Sequence, residues 1–212
     1  MNGMEFLYEF FSNLQNLEAL IKWGGYTVLA IIVFAESGLF FGFFLPGDSL
    51  LVTAGLLASR GYLNIWELIA LLTIMAVAGD AVGYYTGKTA GPRIFSREKS
   101  LLFAKDHLLK AQAFYDKHGG KTIIMARFVP IIRTFAPIVA GAAGMSYRRF
   151  FSFNVWGGAL WVMSMLSLGF FLGRVIPDVD RYIFVIILGI IFLSISPGIY
   201  SWIKSRLKPK NV

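Results

Sequence analysis

The sequence predicts an all-α integral membrane protein: an inverted repeat of amphipathic helix, re-entrant hairpin and transmembrane span, followed by a C-terminal transmembrane helix. Three observations predict it. The chain is 57% hydrophobic and 15% charged, with a mean hydropathy of +0.65, whereas soluble domains are roughly 45–50% apolar. Runs such as 159–173 and 183–195 carry no charge and suit hydrocarbon rather than water. Two further apolar stretches are interrupted by proline and by charged residues, which are costly inside a membrane and usually functional there.

The elements follow in order. Residues 4–22 place Phe6, Leu7, Phe10, Phe11, Leu14, Leu17 and Ile21 three to four apart, the pattern of an amphipathic helix lying on a membrane or against its neighbours. Residues 24–59 are apolar but contain Glu36 and the break Pro46-Gly47-Asp48-Ser49, and the run 50–58 that follows is short. A crossing helix needs about 20 residues, so this stretch is read as a re-entrant hairpin. Irregular backbone at that depth survives only inside protein or beside water. Residues 62–87 form a full span containing Asp80. The basic loop 88–121 carries a second interfacial helix and both histidines, His107 and His118, and belongs on the cytoplasmic side.

Residues 122–145 repeat the broken pattern, with Arg127, Pro130, Arg133, Thr134 and Pro137. Lys121 and Arg148-Arg149 flank them on both sides, which again argues for a hairpin. A span follows at 150–173, then a connector at 174–181, a final span at 182–203 and a basic, cytoplasmic tail. Pro46, Gly47, Pro130 and Pro137 are the expected hairpin breakers. The 20 Phe, 9 Tyr and 5 Trp are expected to pack or to face lipid.

What the chain lacks also narrows its function. With no cysteine, disulfides, zinc-thiolate sites and thiol catalysis are excluded. The net charge of +8 fits Lys and Arg gathered on the cytoplasmic side and calls for no nucleic acid. No metal or cofactor is expected, and no removed signal peptide.

Three internal matches occur in the same order. Lys22-Trp23-Gly24-Gly25-Tyr26-Thr27 resembles Lys117-His118-Gly119-Gly120-Lys121-Thr122; Phe44-Leu45-Pro46 resembles Phe128-Val129-Pro130; and Gly83-Tyr84-Tyr85-Thr86-Gly87-Lys88 resembles Gly169-Phe170-Phe171-Leu172-Gly173-Arg174. The repeats are 4–88 and 98–174 of one 212-residue domain. The first span runs toward the cytoplasm and the second away from it, so the halves are inverted and the hairpin tips should meet near the midplane, where transporters of this logic bind cargo.

Glu36, Asp48, Arg127 and Arg133 are the chemical groups to explain. Arg127 lies six residues past Lys121, roughly 9 Å of helix, so it can reach the interface or serve the site. Arg133 lies twelve residues past Lys121, roughly 18 Å, and must meet a carboxylate, an anion or water. Asp48 and Thr134 are expected to cap two short helices whose N-termini face the centre. Two such ends and two guanidiniums suit a phosphate. Glu36 and Asp48 are then counter-ions or proton carriers. Asp80 is either a third carboxylate of the set or an interfacial residue.

These motifs resemble the DedA family of bacterial inner-membrane proteins, relatives of the VTT-domain lipid scramblases. The resemblance covers about residues 20–200 and is nearest the subgroup that gives the family its name. Its residues are Phe34-Ala35-Glu36-Ser37-Gly38, Phe44-Leu45-Pro46-Gly47-Asp48-Ser49-Leu50, Gly79-Asp80, Tyr115-Asp116-Lys117-His118-Gly119-Gly120-Lys121-Thr122 and the stretch from Arg127 to Pro137. It implies opposed re-entrant hairpins and lipid transport across the inner membrane, with undecaprenyl phosphate or phosphatidylethanolamine as cargo. It implies dependence on the proton gradient for some members. The family's acidic pair matches Glu36 and Asp48, and its arginine pair matches Arg127 and Arg133. Arg127, Arg133, Thr134 and Ser49 are therefore the expected headgroup ligands. Membrane lipids with an anionic phosphate are the expected partners, with protons and a second copy of the chain as further ones. Three other classes compete: a polyprenyl phosphatase, disfavoured because both histidines lie in the loop; a proton-coupled transporter of small ions or drugs; and a structural membrane organiser, which would leave the buried Arg–carboxylate set unexplained.

Overall fold

The structure, a computed structural model, describes residues 17–39, 42, 45–94 and 120–175. Among these residues it is helices and turns, with no strand. The helices are α1 (Leu17–Gly38), α2 (Gly47–Ser59), α3 (Ile65–Ile94), α4 (Lys121–Ala126), α5 (Pro130–Ala142) and α6 (Tyr147–Val175). Residues 4–16, the interfacial helix and histidines of the basic loop, the connector beyond Val175, the final span and the tail lie outside the described residues.

Three helices are long and apolar enough to cross a membrane: α1, α3 over Ile65–Gly91, and α6. The 29 residues of α6 rise about 44 Å at 1.5 Å each, more than a hydrocarbon core of about 30 Å. The spans expected at 62–87 and 150–173 thus appear as helices a few residues longer. The stretch expected to form the first arm of a hairpin is less simple than the sequence suggests. The amphipathic 17–22 segment runs straight into it, and α1 is two helices merged across a kink at Gly25, whose φ of 52° suits glycine alone. Beyond the kink, 26–38 is a helix of the same thirteen residues as α2 and α5.

The two short helices end alike. After α2, Tyr62 N–H bonds Leu57 O and Gly61 N–H bonds Ala58 O, both at 3.1 Å. After α5, Met145 N–H bonds Ala140 O at 3.1 Å and Gly144 N–H bonds Gly141 O at 3.2 Å. Both are Schellman turns around a left-handed glycine, with φ of 82° at Gly61 and 74° at Gly144. Each turn delivers the chain into a long helix. The first of these, α3, is capped by Asn64, whose side-chain oxygen accepts Trp66 N–H at 2.9 Å.

Packing crosses between the halves: α2 lies on α6, and α5 lies on α3. Glycine sets both distances. A Cβ on Gly169 would overlap Val52 O, and one on Gly87 would overlap Ile138 O. Small residues are what let membrane helices approach this closely. Helix α2 is buried at Gly47 and from Ser49 to Ala58, so it is sheathed in protein on all sides. Outside, Ile31, Trp66, Ile74, Trp156 and Phe171 are exposed, while Glu36, Asp80, Arg127, Arg133 and Asn154 are buried. That is the reverse of a soluble protein and fits an apolar surface toward lipid.

Candidate functional site

The site begins with a break. Pro130 has no N–H and disfavours helix at the residue before it. Val129 is accordingly extended, with φ −118° and ψ 107°, and Pro130 opens α5 at a position where no donor is needed. Arg127 therefore ends α4 while Arg133 sits in the first turn of α5, and the two side chains part company.

Arg133 reaches the first half of the chain. Its Nη1 donates to Asp48 Oδ1 at 2.7 Å, and its Nη2 donates to Glu36 Oε1 in a buried ion pair. Trp161 of α6 lies beneath it, 4.7 Å from guanidinium carbon to ring centre, and donates its indole N–H to the same Asp48 oxygen at 2.8 Å. Glu36 ends α1 and Asp48 begins α2, so one guanidinium ties together both sides of the first break. Arg133 Nε and Glu36 Oε2 are buried without a hydrogen-bond partner.

Arg127 reaches the two long helices instead. Its Nη2 pairs with Asp80, donates to Asn154 Oδ1 at 2.7 Å and approaches Ala76 O at 3.3 Å. Asn154 is fixed in turn by Val77 O at 3.1 Å. Gly157 and Gly158 lie along the Arg127 side chain: a Cβ on either would stand 3.4–3.6 Å from it, in ordinary van der Waals contact. Trp161 lies between the two arginines, with Arg127 at 5.9 Å from its ring centre.

Several expectations are corrected. Arg127 does not reach for the interface; it is 2% exposed and paired with Asp80, which at 3% is no interfacial residue either. Asp48 and Thr134 are not the N-cap residues of these helices. The cap positions are Pro46 and Val129, neither with a side-chain bond, because Asp48 is taken by Arg133 and Trp161 and Thr134 lies inside α5. Pro137 does not break its helix, which continues to Ala142. It removes instead the N–H that would bond Arg133 O. Gly47 is not at positive φ; it is needed for space, since a Cβ there would overlap the Glu36 carboxylate. Thr134 and Ser49 are buried beside the cluster residues on their own helices. Asn154 and Trp161 were not expected at all.

Chemically, three carboxylates face two guanidiniums in a largely buried cluster, with Asp48 its more accessible member. Buried ions cost several kcal/mol each unless paired. Every arginine here is paired, yet one acid is in excess. Such a set can exchange a carboxylate for another anion or take up a proton. Among the described residues no group of His, Asp and Glu could hold a metal ion.

Residues 45–171 match the VTT domain. The chain is 48% identical over 183 residues to Protein DedA of Escherichia coli (strain K12), covering 85% of this chain and 83% of that protein. It is 44% identical over 169 residues to an uncharacterized membrane protein of Mycobacterium leprae (strain TN), covering 80% and 75%. Inner membrane protein YqjA of Escherichia coli (strain K12) is 39% identical over 150 residues, covering 70% and 68%. No solved structure matches the chain. With a domain match over more than half its length and these relatives, the chain belongs to the VTT-domain family as a multi-pass membrane protein of the DedA type.

Proposed function

We propose that this protein carries a phosphate-bearing lipid, undecaprenyl phosphate in the first place, across the bacterial cytoplasmic membrane. The observation that carries the reading is Arg133: a planar, permanently charged donor, 5% exposed, beside a break in the helices and paired with Glu36 and Asp48. Arginine grips phosphate oxygens in pairs where lysine offers a point charge. The matching lengths and glycine turns of α2 and α5, each packed on the other half's span, support the inverted-repeat topology with re-entrant hairpins and a cytoplasmic C-terminus. Relatives named as inner membrane proteins support the location.

Arg133, with Thr134 and Ser49 at its sides, forms the headgroup site. Arg127 and Asp80 hold the spans that frame it. The excess acid favours proton coupling: an anion arriving at this cluster is best accompanied by a proton. A flippase for phosphatidylethanolamine-type lipids uses the same phosphate contact. The test is reconstitution in vesicles with labelled undecaprenyl phosphate and competing phospholipids. Flipping inhibited only by polyprenyl phosphates supports the assignment. Equal inhibition by phosphatidylethanolamine replaces the cargo, and flipping no faster than in empty vesicles removes the function.

A further inference from the structure

We infer that the two acids on Arg133 have different roles: Glu36 is the one an incoming phosphate displaces, and Asp48, held by Trp161, stays in place as an anchor. This deepens the headgroup site proposed above and rests on it.

The argument is the shape of the guanidinium. A phosphate can take two parallel donors from it on either of two edges, Nη1 with Nη2 or Nε with Nη2. Both edges use Nη2, and Nη2 belongs to Glu36. Nη2 points one N–H toward each edge, and while the Glu36 carboxylate stands on it an arriving phosphate meets that negative charge at either edge. The first edge also requires Nη1, which Asp48 holds at 2.7 Å. The second requires Nε, which is buried and has no partner. Moving Glu36 alone therefore opens one complete edge.

The acids are also held unequally. Glu36 pairs with Arg133 through Oε1, while Oε2 rests against Gly47 without a well-formed hydrogen bond. Asp48 Oδ1 receives two donors, Arg133 Nη1 and the indole N–H of Trp161. Trp161 is fully buried, so removing Asp48 would strand that N–H as well. The indole face under Arg133, at 4.7 Å, keeps the guanidinium plane fixed while its Glu36 edge is exchanged. Trp161 is thus a positioning residue for the headgroup. The chemistry recognised is a phosphate monoester or free phosphate.

Infrared difference spectra of the full chain in detergent, with and without inorganic phosphate or dihexanoyl phosphatidic acid, test this. A perturbed carboxylate stretch should appear in the wild type, persist in Asp48→Asn and vanish in Glu36→Gln. Phosphate affinity should rise about tenfold in Glu36→Gln, the scale of a close charge pair, and less in Asp48→Asn. Glu36→Asp, whose shorter arm cannot hold Nη2, should show the same gain and serves if Glu36→Gln fails to fold. Trp161→Phe keeps the ring but loses the N–H, so both carboxylates should then respond. Loss of the signal in Asp48→Asn with its retention in Glu36→Gln overturns the assignment, as do equal affinity gains. Binding of inorganic phosphate without phosphatidic acid leaves the exchange intact and overturns the lipid cargo. If the wild type binds neither, the headgroup site itself falls.

Discussion

Arg127 and Arg133 stand six residues apart in one short stretch, yet they work in different mechanical settings. Arg127 binds Asp80 and Asn154 on the two longest described helices, where neither backbone is interrupted, and Asn154 is itself tied to Val77 O. Arg133 binds Glu36 and Asp48 on either side of a helix break and sits beside another. The first arrangement resists change, since every partner is carried on a rigid element. The second has partners on separate helices that can move apart, whereas the buried Nε without a hydrogen-bond partner is common to both arginines. The two identical side chains differ in what carries their partners: continuous long helices for Arg127, the two sides of a helix break for Arg133.

The largest effect that would break this comparison comes from deleting charges. Arg127→Ala should lower stability by about 3–5 kcal/mol, because Asp80 is left buried and alone. Arg127→Met combined with Asp80→Leu should recover most of that loss and retain transport. If the double variant folds but does not transport, Arg127 is more than a brace. The corresponding set at the other site, Arg133→Met with Glu36→Gln and Asp48→Asn, should fold and stay inactive. Thermal melting in detergent beside vesicle flipping measures both.

The next effect sharpens the distinction through pH. Three acids face two arginines, so an arriving anion adds to an excess of negative charge, and binding should take up a proton. Linkage then requires tighter binding as pH falls. Glu36→Gln removes the displaced acid and should flatten the dependence, whereas Thr53→Ser, away from the ion pairs, should leave it. A pH-independent wild type would remove proton coupling.

Smaller effects follow from steric detail. Gly47→Ala should cost about 1–3 kcal/mol and push Glu36 off Arg133, giving a protein that binds phosphate more tightly but flips it more slowly. Pro137→Ala restores a donor to Arg133 O and should stabilise by about 1 kcal/mol, read as a raised melting midpoint.

Much of this was legible in the chain. Proline beside charge marked both breaks, hydropathy marked the spans, and Arg133 could be placed too deep to reach water. Partners were harder. Asp80 and Arg127 lie far apart in sequence, and nothing local says that they meet. Trp161 looked like any aromatic in a span, because its indole N–H has no meaning until Asp48 is across from it. Asn154 left a weak signal, a lone amide in an apolar run just before Gly157-Gly158, which lie along a large neighbour. Cap positions were misread because the expectation assigned Asp48 and Thr134 to local backbone, whereas tertiary partners claim Asp48 and the proline sets the start of α5.

The central claim is that Arg133 recognises phosphate and Arg127 braces the fold. Substituting lysine at each position and measuring flipping of a labelled lipid phosphate separates them. Arg127 reaches Asp80, Asn154 and Ala76 O from Nη2, a single nitrogen that one ammonium can imitate. Arg133 presents a planar fork that can grip two phosphate oxygens in parallel, which one ammonium cannot match. Arg127→Lys should therefore flip at near the native rate, while Arg133→Lys, equally folded, should lose roughly ten- to a hundredfold, the worth of one charge-assisted hydrogen bond. Native flipping by Arg133→Lys, or a greater loss in Arg127→Lys than in Arg133→Lys, would contradict the account.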